Sequence, residues 1–203
     1  ITTCEELLGA TIQIIDTDGN VVDEWVSTNE PHFIEAELIA GEKYTLHETA
    51  APDGYIIVND VEITVNSDGT VNEVVMKDDT TKVQISKRDI TTDKELPGAT
   101  LKIIDEDGNI VEEWISTDEA YFIEGKLIAG KEYTLKEIIA PDGYEIANEI
   151  KFTVNEDGSV TEVVMYDELT PKTDTPYTGD NHSDFAAFAL MGVSLIIFLV
   201  LII

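Results

Sequence analysis

Three ionisable residues of this 203-residue chain fall where an alternating pattern calls for an apolar side chain. Lys87 follows Val83 and Ile85 at two-residue steps, Glu137 follows Tyr133 and Leu135, and Asp167 follows Val163 and Met165. Side chains two apart on a β-strand point the same way. A strand reading therefore turns one amine and two carboxyls toward a single apolar interior, although Val164 and Tyr166 make the other face of the last stretch apolar as well. Charges buried without partners cost several kcal/mol each, so the fold must bring the three together. A buried, uncrosslinked salt bridge already satisfies that requirement.

The elements that must position them come from a repeat. Residues 1–79 align with residues 90–168 without a gap at an offset of 89, and roughly 49 of the 79 pairs are identical. Gly9-Ala10-Thr11 returns as Gly98-Ala99-Thr100 and Trp25 as Trp114. Positions matching 80–89 would precede Ile1, so the first copy has no counterpart of that segment among these residues and the second copy is the fuller one. Short alternating runs at Val83-Ile85-Lys87, Leu101-Lys102-Ile103 and Tyr133-Thr134-Leu135-Lys136-Glu137, a β-branched but less cleanly alternating run from Val160 to Met165, and Asp-Gly pairs at 18–19, 68–69, 107–108 and 157–158 read as hairpin turns, predict about seven strands in the complete copy. A small antiparallel β-sandwich is the expected architecture, and no helical stripe precedes the C-terminal run.

The stretch Tyr44-Thr45-Leu46-His47-Glu48-Thr49-Ala50-Ala51-Pro52-Asp53-Gly54-Tyr55 resembles the E-box of Gram-positive pilins, and its second copy, Tyr133 to Tyr144, departs only at Ile138. Ile85-Ser86-Lys87-Arg88-Asp89, the following Glu95-Leu96-Pro97-Gly98-Ala99-Thr100, and Val163-Val164-Met165-Tyr166-Asp167 are similar to the first and last strands of SpaA-type domains, also called Cna protein B-type or prealbumin-like. The resemblance covers residues 1–168. It implies tandem all-β, prealbumin-like, Ig-like sandwiches, each closed by an intramolecular isopeptide bond. Carried over, Lys87 is the nucleophile, Asp167 the acceptor, and Glu137 the group that polarises the acid and moves the protons, with water leaving. Burial in an apolar core disfavours the charged forms of amine and acid, which favours the reaction. Glu48 and Asp78 hold the equivalent places in the first repeat, where the matching lysine would lie three residues upstream of Ile1.

Beyond the repeats the composition changes. Residues 169–184, rich in Thr, Pro and Asp, read as an extended spacer, and residues 185–203 are 19 consecutive uncharged, mostly apolar positions, enough for about 28 Å of helix and a membrane span. Thr175-Pro176-Tyr177-Thr178-Gly179 resembles a sortase sorting signal, Leu-Pro-x-Thr-Gly, with Thr175 in place of Leu. The resemblance implies cleavage between Thr178 and Gly179 by a partner sortase and transfer of the Thr178 carbonyl to peptidoglycan or to another pilin subunit. The membrane would hold residues 185–203 before sorting; the basic tail that follows such a span is not among these residues. The expected organisation is a repeat at 1–79 lacking its first strand, a complete repeat at 80–168, the spacer, and the span.

Composition sets outer limits. Against 42 Asp and Glu there are 12 Lys and Arg, a formal net charge of −30 that excludes nucleic acid as a partner, while an apolar fraction of 43% still supports a core. One cysteine, Cys4, makes no internal disulfide. His32, His47 and His182 do not recur between copies, and a hairpin turn explains the Asp-x-Asp-Gly-Asn runs at 16–20 and 105–109 better than calcium does, so neither metal nor cofactor is expected. The resemblance, within these limits, implies an extracellular, cell-wall-anchored structural stalk of a pilin or surface adhesin. Two alternatives are a ligand-binding adhesin recognising a host protein or glycan, and the stalk of a larger surface enzyme.

Overall fold

The computed structural model describes residues 6–34, 38–68, 70 and 72–171. The described residues up to Thr170 belong to one compact unit. Every regular element among the described residues is a strand. The first repeat holds β1 (Thr11–Asp16), β2 (Val21–Val26), β3 (Lys43–Ala50), β4 (Tyr55–Ile56) and β5 (Val61–Thr64), and ends in β6 (Asp79–Thr80). The second holds β7 (Lys82–Asp89), β8 (Thr100–Ile104), β9 (Ile110–Ile115), β10 (Tyr121–Glu124), β11 (Glu132–Ile139), β12 (Ile150–Thr153) and β13 (Val160–Asp167).

In the second repeat a four-stranded sheet, ordered β12-β11-β8-β9, packs on a three-stranded sheet, ordered β10-β7-β13. The core between them is built from alternate residues: Val83 and Ile85 of β7, Leu101 and Ile103 of β8, Tyr133 and Leu135 of β11, Val163 and Met165 of β13. The strand phases therefore stand as expected from the sequence. Two expectations are corrected. β13 runs parallel to β7, in register from Val160 opposite Lys82 to Asp167 opposite Asp89, so the sandwich is mixed rather than antiparallel. Asp157-Gly158 makes no hairpin, since β12 and β13 lie in different sheets and the turn carries the chain across the core. The Asp107-Gly108 turn does join paired neighbours, β8 and β9.

The first repeat reproduces the four-stranded sheet as β2-β1-β3-β5, with β1 and β2 in the same register as β8 and β9. Its second sheet is not reproduced. The positions equivalent to β7 precede Ile1, and the segments that would flank that strand, residues 31–34 and 72–78, form no ladder. Packing follows the pairing: Val74 is 37% exposed, while its equivalent on β13, Val163, is 5% exposed.

The two repeats meet at the turn after β3. The Thr81 N–H donates to the Gly54 carbonyl, the Thr81 hydroxyl contacts the carbonyls of Gly54 and Leu127, and the Gly125 N–H donates to the Thr81 carbonyl. Gly54 has φ +85°, and a Cβ there would stand 2.3 Å from the Gly125 oxygen. Glycine is required on both counts, the left-handed backbone and the close approach. Thr170 repeats the latch on Gly143, through its N–H at 2.9 Å and its hydroxyl at 3.1 Å.

Candidate functional site

The residues singled out by strand phase meet in the second repeat. Lys87 is the largest fully buried side chain of the described residues, at 2% exposure, with Glu137 at 3% and Asp167 at 1%. β7 and β13 are adjacent, and Lys87 lies opposite Met165, one same-face step from Asp167. The Lys87 Nζ donates to Asp167 Oδ1, and Glu137, reaching in from β11 on the facing sheet, places its Oε1 3.1 Å from the same nitrogen. That second contact has the distance of an ion pair without hydrogen-bond alignment, and Asp167 Oδ2 has no partner. Burial pushes the Asp167 carboxyl above the ordinary carboxylate range, with Lys87 pulling it down and Glu137 adding to the rise. The arrangement presents an amine to an acid that is held toward its protonated form, with a second carboxyl within reach of the amine.

Backbone and phenol groups hold these side chains in place. Glu137 Oε2 accepts a 2.7 Å bond from the Ala147 N–H, which fixes the carboxyl from the side away from the lysine. A register shift between Glu137 and Ile139, where β11 pairs with β8, ends regular pairing just beyond the glutamate. The first E-box tyrosine, Tyr133, accepts the Ile128 N–H, and the last, Tyr144, donates a 2.6 Å bond to Asp89 at the end of β7. Ala147 and Asp89 have no side-chain signature that marks these roles in the sequence. For Ala147 the repeat supplies a parallel, because Glu48 accepts the Val58 N–H at the same spacing and the same 2.7 Å; Asp89 has no counterpart among these residues.

Residues 1–80 and 81–169 each match the SpaA family of prealbumin-like fold domains. The chain belongs to that family. Among solved structures it is similar to the Bacillus anthracis TIE protein, at 24% identity and a TM-score of 0.49, over 83% of this chain and 32% of that one. The chain thus spans about a third of that protein's length. It is also similar to the shaft pilin SpaA of Lactobacillus rhamnosus GG, at 18% identity and a TM-score of 0.39, over 81% of this chain and 89% of that one. A third likeness, to the group B streptococcus pilus 2b backbone protein, has 14% identity and a TM-score of 0.39, over 81% of each chain. A search of curated proteins finds no match.

In the first SpaA domain Glu48 and Asp78 sit together, and among the described residues no cation forms a salt bridge with either. Glu48 is 2% exposed, and neither its Oε1 nor Asp78 Oδ2 has a hydrogen-bond partner. Burial raises both carboxyls above their ordinary range; Asp78 adds to the rise at Glu48, and the Val58 N–H opposes it. At the other candidate loop of this domain, Asp16 spends its carboxylate on the N–H groups of Asp18 and Asn20 and on the Asn20 side chain, as a turn requires; Asp105 does the same in the second domain. Trp25 stacks on His32, and Trp114 on Tyr121, as sheet residues beside the core. The sorting motif Thr175 to Gly179, His182, the proposed span 185–203, Cys4 and Gly69 all lie outside the described residues.

Proposed function

We propose that this chain is part of a cell-surface stalk, of pilin or adhesin type, whose second domain, residues 80–168, is closed by an autocatalytic isopeptide bond between Lys87 and Asp167. The observation that carries this reading is the Lys87 amine, buried between Asp167 and Glu137 with a contact to each. Lys87 Nζ attacks the Asp167 side-chain carbonyl carbon, an amide C–N bond forms, the C–O bond to the departing hydroxyl breaks, and one water leaves. Glu137 takes a proton from the attacking nitrogen and returns it to that hydroxyl, so no other reagent is consumed. A hollow of about 220 Å³ beside Lys87, lined in part by Trp114, Ser116 and Tyr121, offers the water a way out. The reaction happens once per molecule, so the site makes a structure rather than turning over substrate.

The bond spans 80 residues of sequence. Loop-closure entropy for a ring of that size amounts to about 4.5 kcal/mol of stabilisation, obtained without an oxidant. Because β7 and β13 are neighbours, tension along the chain would pass from one to the other through the amide and leave the rest of the sandwich unloaded. At the C-terminus, sortase cleavage between Thr178 and Gly179 would release the membrane-held precursor from residues 185–203 and join the stalk to peptidoglycan or to another pilin subunit.

Intact mass decides the central claim. The purified protein should weigh one water less than its sequence, and a peptide joining Lys87 to Asp167 should appear after digestion. Glu137→Gln should restore the full mass while leaving the sandwich folded; a full mass for the parent protein would overturn the reading. The anchoring step has its own measurement: cell-wall material should contain chain ending at Thr178, and recovery of only the intact C-terminus from membranes would refute it.

A further inference from the structure

We propose that Asp89 and Tyr144 are the positioning residues of the condensation in the second domain: their hydrogen bond joins the E-box turn to the end of β7 and leaves Asp167, not Asp89, as the acid that receives the Lys87 amine. The inference rests on the isopeptide reading of that domain. The inward face of β7 runs Val83, Ile85, Lys87 and Asp89, and Asp89 lies opposite Asp167 in the parallel register of β7 and β13. The lysine is therefore near two buried aspartates, Asp89 at 7% exposure on its own strand and Asp167 at 1% on the neighbour. Only one of them can take the amine.

The two acids have opposite surroundings. Asp89 Oδ1 accepts the N–H groups of Thr91 and Thr92, each at 2.7 Å, and its Oδ2 accepts the Tyr144 hydroxyl at 2.6 Å. Asp167 Oδ2 has no partner. The Tyr144 bond, with the Thr92 and Thr91 amides, holds the Asp89 carboxyl below the ordinary carboxylate range, whereas burial holds Asp167 above it. A carboxylate resists attack by an amine, and a protonated carboxyl accepts it. A fixed anion at Asp89 also makes ionisation of its neighbour costlier, which keeps the proton on Asp167. The bond to Asp89 raises the Tyr144 phenol, so the tyrosine stays a donor. Tyr144 is tied to β13 as well, because it pairs with Leu169 in an isolated bridge and the next N–H, of Glu145, donates to the Glu168 carbonyl at 3.0 Å. The Ile90 N–H, just past β7, donates to the Asp167 carbonyl at 3.0 Å. One phenol thus gathers the ends of the strands that carry Lys87 and Asp167 onto the turn that follows Glu137. Tyr144 keeps its proton throughout and Asp89 gains none, so the balance stays at one amide formed and one water released.

The test times closure in the whole chain. Protein from brief cell-free translation is unfolded in urea, diluted into buffers from mildly acid to mildly alkaline pH, and quenched in acid at intervals; the fraction lighter by one water gives the rate. Tyr144→Phe should close at least about tenfold more slowly at every pH, from loss of one hydrogen bond to a charged group. Asp89→Asn keeps an acceptor for the Thr91 and Thr92 amides but removes the charge beside Asp167, so on the alkaline side its rate should begin to fall at lower pH than the parent's. Lys87, Glu137 and Tyr144, the other ionisable groups facing Asp167, are unchanged in that variant, and a purely structural defect would lower the rate without moving the profile. Tyr166→Phe, which loses a phenol bond to Asp93 at an exposed position of β13, should match the parent. Asp167→Ala should keep its full mass, because Asp89 does not stand in as acceptor. Protected amides in β8 and β11 show that each variant is folded; should Tyr144→Phe fail that check, the Asp89→Asn profile and the Asp167→Ala mass decide. A parent-like rate in folded Tyr144→Phe, an unmoved profile in Asp89→Asn, or a Lys87–Asp89 link in Asp167→Ala overturns this proposal and leaves the parent's bond standing. No water loss in the parent overturns the isopeptide reading and this proposal with it.

Discussion

Glu48 and Glu137 hold equivalent places in the two repeats. Each is buried and held by a backbone N–H ten positions on, and among the described residues Glu137 has Lys87 beside it while Glu48 has Asp78. The consequence for stability follows from the direction of the shifts at Glu48 and Asp78. Carboxyls whose folded values are raised contribute stability that is fully present below about pH 4, the unfolded range, and is lost as pH rises through the raised values. In a Trp114→Phe background, where Trp25 reports on the first domain, the melting temperature should therefore fall between pH 4 and pH 7.5. Glu48→Gln should remove much of that slope, while the half-buried Asp16 and the exposed Asp68, whose values are lowered, keep their opposite contribution in both proteins. An unchanged slope would mean that the acid pair is not the source. At this scale Lys87 and Glu137 were legible from two-residue phase, because a charge among inward-facing apolar residues has few explanations; Asp167 was less so, since Val164 and Tyr166 make both faces of its strand apolar. The N–H of Ala147 was not, since every residue except proline has that donor and only the fold aims it.

Strand existence and facing were readable for β7, β8 and β11, where alternation runs for several residues; β13 was readable as a strand from its β-branched residues, but its facing was not, because Val164 and Tyr166 make its second face apolar. Their pairing was less so. The parallel contact of β7 with β13 joins segments at opposite ends of a domain, and no local turn announces it. The Asp157-Gly158 turn misleads for a related reason: turn chemistry fixes a bend but not the sheet that the next strand joins. The equivalent segment of the first repeat shows how much pairing contributes. Val163 on β13 and Val74 in residues 72–78 are repeat equivalents, yet one is buried and the other is partly open. Val163→Ala should cost about 2 kcal/mol in chemical denaturation of the second domain, from lost burial and the cavity left behind. Val74→Ala should cost less than about 1 kcal/mol in the first domain. Similar costs at the two sites would show that residues 72–78 are packed as tightly as β13.

For the compact unit as a whole, the junction at Gly54 sets how the repeats are coupled. Gly54 and Gly143 both have positive φ, +85° and +88°, but only Gly54 has a neighbour in the way, the Gly125 carbonyl. Gly143→Ala should therefore carry only the backbone penalty, about 1–2 kcal/mol, within its own domain. Gly54→Ala should in addition open the latch, read as faster hydrogen exchange at the Thr81 amide while amides within β8 and β11 keep their protection. Equal exchange at Thr81 in the two variants would remove the junction from the account. The sequence contains this latch only as a recurring glycine and a threonine at the repeat spacing, and nothing in either residue type tells that they touch.

The side-by-side, parallel course of β7 and β13 bears on wear. With Lys87 and Asp167 joined, residues 87–167 form a closed ring, and the backbone enters and leaves that ring at neighbouring points. A single protease cut anywhere inside the ring would open a loop without severing the molecule, because the amide still ties the strand that enters to the strand that leaves. A chain closed in this way would remain one covalent thread after a cut between residues 87 and 167.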